Sequence, residues 1–220
     1  MKKISLIINI IFFICSVSTI INAQTIKLGV GGGLTHIIGP EGFTKETTEY
    51  GLGYSIEYNL GATVKIDLPL IPLTPRFIIL YHTFNSSGNY LPILTKSLAL
   101  EPTVENTQSI LSIGAGAQFG LIPIPTGIDP YFSLDLFLNK FGDLKQTFTD
   151  AEATPFPGIN SPGGSRFGLQ VGIGAEISII PMINLDVSAG YNWFNIIGKE
   201  DGEETLSAAT LDLFFIFNLY

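Results

Sequence analysis

Residues 166–179 alternate without a break. Phe167, Leu169, Val171, Ile173, Ala175, Ile177 and Ile179 are apolar, and the residues between them, Arg166, Gly168, Gln170, Gly172, Gly174, Glu176 and Ser178, carry no apolar side chain. A period of two belongs to a strand with one wet and one dry face. The next segment repeats it, with Ile183, Leu185, Val187, Ala189, Tyr191 and Trp193 set against Asn184, Asp186, Ser188, Gly190 and Asn192. Residues 52–68 do the same, with Tyr54, Tyr58 and Val64 on the apolar side and Glu57, Lys65 and Asp67 on the other.

Eight such segments can be traced, at about 26–37, 52–68, 75–84, 109–121, 130–141, 166–180, 182–196 and 209–220. The third and last are the least regular. Ile78 and Leu80, and likewise Phe214 and Ile216, fall on the nominally polar side. The 13 prolines lie between the segments or at their margins, where a missing backbone donor costs little. Connections alternate in length. Short turns follow the second, fourth and sixth segments, and long polar loops at about 38–51, 85–108, 142–165 and 197–208 join the others.

The first two dozen residues read differently. Lys2 and Lys3, an apolar run from Ile4 to Cys15 and a small residue at Ala23 predict a signal peptide over 1–23. Ser16-Val17-Ser18 offers a second cut site. An uncleaved anchor is the alternative, although the run is shorter than the ~20 residues that a spanning helix needs. Cleavage after Ala23 removes the one cysteine and takes the net charge from −8 to −10. The mature chain, 24–220, then forms one domain without disulfides. Its acidity argues against nucleic acid as a partner.

Only 14% of the residues are charged and 46% are apolar, against about 25% charged in soluble domains. No apolar run beyond residue 23 is long enough for a spanning helix. In lipid the remaining solution is a closed barrel, whose backbone groups are all paired between strands. The sequence therefore predicts an all-β fold: an eight-stranded antiparallel up-and-down transmembrane β-barrel with both mature termini on the short-turn, periplasmic side. A soluble barrel with its apolar face inward has the same period. The small, weakly charged polar face favours the membrane form, because an eight-stranded barrel has little room inside. Gly29, Gly31, Gly33, Gly61, Gly114 and Gly116 all sit on that face. Aromatic residues also sort by end. Tyr54, Tyr58, Tyr81, Phe167, Tyr191 and Trp193 lie toward the long loops, and Phe77, Phe119, Phe132 and Phe217 toward the short turns, as in two interfacial girdles.

On the signal peptide, the eight alternating strands, the loop asymmetry and the aromatic final residue Tyr220, the chain resembles the small bacterial outer-membrane β-barrel family of the outer-membrane protein X and W kind. The resemblance spans residues 24–220. It implies residence in the outer membrane, contact with its lipid, and recognition of the terminal strand 211–220 by the barrel-assembly machinery. Two registers are open for that strand. Counting back from Tyr220 gives Asn218, Ile216, Phe214 and Asp212, whereas Leu211, Leu213, Phe215, Phe217 and Leu219 form the more apolar set.

The inward charges are Lys27, Glu57, Lys65, Asp67, Arg76, Asp135, Arg166, Glu176, Asp186 and Asp212. Glu176 and Asp186 are equidistant from Pro181, so they should meet side by side. Arg76 is expected to bridge them through its planar fork, with Lys65 or Lys27 helping, as a structural charge cluster at the periplasmic end. No catalytic, cofactor or metal set is expected. His36 and His82 are the two histidines, and Ser86 and Ser87 follow His82, but nothing fixes a third partner for a catalytic set; the acidic run 199–204 reads as a solvated loop, with weak Ca²⁺ binding as the alternative. The expected role is structural, or a surface contact made by the long loops with an unidentified extracellular partner. A conduit for small or hydrophobic molecules is the alternative, and a lipid-modifying enzyme is a third reading.

Overall fold

A computed structural model of the chain describes residues 25–68, 71–89, 103–122, 127–149 and 163–219. The expected signal peptide and Tyr220 lie outside these residues. Eight long strands form the wall: β1 (Thr25–Gly39), β2 (Ile56–Asp67), β3 (Leu73–Asn89), β4 (Thr103–Gly120), β5 (Ile128–Phe141), β7 (Gly164–Ile180), β8 (Ile183–Ile197) and β9 (Ser207–Leu219). A short β6 (Lys145–Phe148) pairs with the outer part of β4. Every long strand is antiparallel to its sequence neighbour, β1 pairs with β9, and the β3–β4 pairing completes the ring.

The wall is inside-out relative to a soluble domain. Leu136 is 65% exposed, Ile173 63% and Leu60 62%, while Lys65 and Asp135 are fully buried. On β9 the exposed set is Leu211, Leu213, Phe215, Phe217 and Leu219, so the more apolar register faces outward and Asp212, Phe214 and Ile216 face the lumen. The irregular apolar residues of β3 and β9 have a common explanation. Phe214, Gly31, Gly61 and Leu80 lie on one cross-strand row. The side chains of Phe214 and Leu80 join Ile78, Phe137 and Ile216 in an apolar plug at mid-height, filling the space the glycines leave.

Two expectations need correction. Residues 52–55 are not strand. Leu52 and Tyr54 donate their backbone N–H groups to Gly42 and Phe43, and Gly53 takes φ +70°, so the chain leaves the ladder there. Tyr54 is consequently 1% exposed and packs inside the outer mouth instead of joining a girdle. Tyr58, Tyr81 and Phe167 at that end, and Phe77, Phe119, Phe132 and Phe217 at the other, are exposed on the wall.

Candidate functional site

The interior is stacked in layers, and the layer nearest the short turns carries the charge. Glu176 on β7 is the cross-strand partner of Asp186 on β8. Lys65, projecting from β2 across the narrow lumen, places its Nζ 3.0 Å from Glu176 Oε2 and also in contact with Asp186 Oδ2. Lys27 Nζ lies 2.6 Å from Glu176 Oε1 and 2.8 Å from Asp67 Oδ2. Asn184 donates to Glu176 (2.6 Å) and the Tyr131 hydroxyl donates to Asp186 (2.5 Å). The Lys65 ammonium also stands 5.6 Å above the Tyr131 ring, within cation–π range.

Lys27, Lys65, Glu176 and Asp186 thus converge, whereas the expected bridge from Arg76 is replaced by Lys65. Arg76 points inward but forks onto Asp135, with Nε to Oδ1 at 2.7 Å and Nη2 to Oδ2 at 2.5 Å. The reason lies in the register. Arg76, Gly116 and Asp135 are successive partners on one row. A Cβ at Gly116 would collide with the Asp135 carboxylate and with the Leu134 carbonyl. Glycine there leaves a gap through which the guanidinium reaches two strands over. Bidentate pairing satisfies both oxygens of a fully buried acid, which an isolated charge in this setting could not tolerate. Alternation alone places Asp135 among the inward acids, but its partner emerges only by following the row through Gly116.

Below this layer a cup of about 880 Å³ opens at the short-turn end, floored by Lys27, Glu176 and Tyr131. Above it the lumen tightens to a crevice of about 10 Å³ between Arg76, Gln170 and Asp212. That is roughly room for one water. Higher still a polar chain crosses the barrel. Asn59 donates to Asp212 Oδ1 (2.9 Å) and to Thr35 Oγ1 (3.1 Å), and Thr35 meets His82 Nδ1 at 3.1 Å. Gly33 sits between Asp212 and Asn59 on their row and lets them touch.

His82 faces inward, 1% exposed, against the rings of Phe84 and Phe194. It is not brought to Ser86, whose hydroxyl donates to the Leu52 carbonyl and accepts from Asn106. Among the described residues no group of three or more His, Cys, Asp or Glu side chains converges as a metal site. Glu200 and Glu203, from the acidic outer run, clamp Arg166, each at 3.0 Å. Burial would raise the Glu203 carboxyl, but hydrogen bonds from the Glu200 N–H, Asn195 and Arg166 outweigh it and hold the group below its ordinary value.

No family sequence model matches the chain, and no curated protein sequence does. Solved structures match over nearly the whole chain. The crystal structure of Neisserial surface protein A is 15% identical, over 88% of this chain and 96% of that one, at a TM-score of 0.50. A major outer membrane protein from Thermus thermophilus is 13% identical, over 90% of this chain and 100% of that one, also at 0.50. The outer membrane enzyme PagL is 13% identical, over 87% and 98%, at 0.43, too remote to inform the chemistry. At these identities the likeness is one of architecture, and by fold the chain is an eight-stranded barrel of the small bacterial outer-membrane kind.

Proposed function

We propose that the chain is a non-enzymatic integral protein of the outer membrane whose barrel is a closed anchor and whose contacts with the outside are made by its long loops. The carrying observation is the filled lumen. Two buried ion-pair sets, an apolar plug and a polar chain occupy it in succession, and the space above the cup shrinks to a crevice of about 10 Å³. An unbroken exposed apolar wall supports contact with membrane lipid, since water would not sustain such a surface on a monomer. In this reading residues 1–23 direct export, the short turns and both mature termini face the periplasm, and the terminal strand is presented to the barrel-assembly machinery. The partner of the loops is extracellular and its chemistry is open.

Planar-bilayer recording tests the anchor against the conduit. The closed lumen should pass no single-channel current above the bare bilayer. Steady currents that change when Lys65 or Arg76 is replaced would show a pathway through the charge layer and end the anchor reading. Profiling membrane lipids with and without the chain tests the enzymatic reading, and the anchor leaves them unchanged.

A further inference from the structure

The three short turns repeat one motif. Each sets an isoleucine before a proline and an aliphatic residue after it, as Ile71-Pro72-Leu73, Ile122-Pro123-Ile124 and Ile180-Pro181-Met182. Turns that meet water are ordinarily polar. Here Ile71 is 56% exposed, Ile180 51% and Ile122 40%. Lipid covers the outer wall, but these three line the cup of about 880 Å³ at the short-turn end, on its aqueous side. By strand order the turns stand at three quarters of the rim, and β1 with β9 forms the fourth. They make an apolar collar around a polar cup.

The collar is braced. The Gly120 N–H donates to the Pro72 carbonyl at 2.8 Å, the Leu121 N–H to the Pro130 carbonyl at 2.9 Å, and the Asn218 amide to the Pro181 carbonyl at 3.1 Å. A surface already held in place loses little freedom when it is covered.

A second observation concerns the charge behind the collar. Asp129, Glu176 and Asp186 are successive partners on one row across β5, β7 and β8. In the layers nearest the short turns, among the described residues, the three cations Lys27, Lys65 and Arg76 face these acids together with Asp67 and Asp135. Acids therefore outnumber cations there, and the cup itself is lined by Asp67, Asp129 and Glu176 against Lys27. Asn218 Oδ1, also at the cup, is shut off from water and accepts no hydrogen bond. Such an acceptor is better placed when a donor enters beside it. Positive charge, a hydrogen-bond donor and apolar cover are what this end of the molecule calls for.

We infer that the cup is a docking socket for a periplasmic protein, which inserts one basic side chain flanked by aliphatic neighbours. The cation lies toward Asp129 and Glu176, and one of its N–H groups donates to Asn218 Oδ1. The aliphatic neighbours rest on Ile71, Ile122 and Ile180. A small free cation would answer the charge but could not cover three turns spread around the rim, whereas a protein surface laid across the mouth does both. The cup has the volume of a ligand-binding pocket, and the layer of Lys65 and Arg76 closes the lumen beyond it, so the inserted side chain stops there. The inference rests on the orientation proposed above, with the short turns in the periplasm.

The probe is a pool of capped, dye-labelled heptapeptides with a central arginine, leucine on either side of it, and serine, asparagine or glycine elsewhere. A second pool carries citrulline, neutral and of similar shape, in place of arginine. Both are titrated by fluorescence anisotropy against the full chain in phospholipid nanodiscs, whose two faces are open to the peptide. The arginine pool should bind about tenfold more tightly than the citrulline pool, as one charge-assisted hydrogen bond would give. Asp129→Asn should weaken the arginine pool about tenfold and leave the citrulline pool unchanged. Ile71→Ser and Ile180→Ser should weaken both pools by about fivefold, with folding checked by gel mobility without heating. Glu46→Gln, at the long-loop end, should change neither. Absence of binding, equal binding by the two pools, or binding matched by empty nanodiscs overturns the socket. Binding lost in Glu46→Gln and kept in Asp129→Asn overturns its position. Orientation is read separately, from Ile122→Cys in a Cys15→Ser background. An impermeant maleimide should fail to label it in intact cells and should label it once the outer membrane is opened. Labelling in intact cells overturns the periplasmic partner through the orientation, whatever the nanodiscs show.

Discussion

Lys65 and Asp186 meet across the full width of the barrel, 121 positions apart in the chain, with the ammonium fully buried. Lys65 is the cation that Glu176 and Asp186 share, and it offsets the repulsion between these two neighbouring carboxylates. Lys65→Met removes one cation and leaves two acids facing each other. Urea unfolding in bilayers should show a loss of about 3–5 kcal/mol. Lys27→Met, at the wetter edge of the cluster, should lose less.

Arg76 and Asp135 form a separate unit. Either Arg76→Met or Asp135→Leu alone should destabilise by about 3–5 kcal/mol, because each strands a buried charge, while the double replacement should recover much of that loss. Gly116→Ala should weaken the same pair by about 1–3 kcal/mol through overpacking, since the added methyl collides with Asp135. Additive losses in the double replacement would show that the pair is not coupled.

Charge on the outer wall should be penalised by depth. Leu136, mid-strand on β5, is 65% exposed. Leu136→Arg and Val171→Arg should cost about 2–4 kcal/mol if they lie at the bilayer midplane, and Phe119→Arg near the short turns about 0–1. Gln170→Arg, on the inner face, should also destabilise, because Gln170 is buried and bonded to Thr210 in a filled interior.

The outer clamp should be acid-labile. Glu203 is held below its ordinary value by the Glu200 N–H, by Asn195 on β8 and by Arg166 on β7, which reach it only when the loop is folded against the wall. Its stabilising contribution is therefore complete above the ordinary value of 4.5 and is lost as pH falls through the lowered folded value. Proteolytic nicking at residues 199–205 should rise in the wild type as the pH falls below the ordinary carboxylate value of 4.5. In Glu203→Gln, nicking should already be high at neutral pH and nearly flat with pH.

Strand identity and facing were legible because lipid imposes a strict period of two over a dozen residues or more, as in β7 and β8. Even the breaks in that period carried information. Ile78, Leu80, Phe214 and Ile216 deviate because together they form the plug, a convergence visible only once the ring is closed. The register shift between Ser178 and Ile180 is what lets the turn keep Glu176 paired with Asp186, and that pairing was readable from their equal spacing from Pro181. The choice between Lys65 and Arg76 was not. It depends on reach across the lumen and on the gap at Gly116, which are properties of the closed cylinder. Tyr54 escapes a reading by period because Leu52–Tyr54 keep a strand-like alternation while their backbone bonds go to residues 42 and 43.

The central claim is a closed barrel that spans the outer membrane. It is tested most directly by gel mobility with and without heating, on protein recovered from separated membranes. The account predicts that the chain is found in the outer-membrane fraction and runs as a compact band in cold SDS, converting to a slower band on boiling. Recovery as a soluble periplasmic protein, with one mobility irrespective of heating, would contradict it.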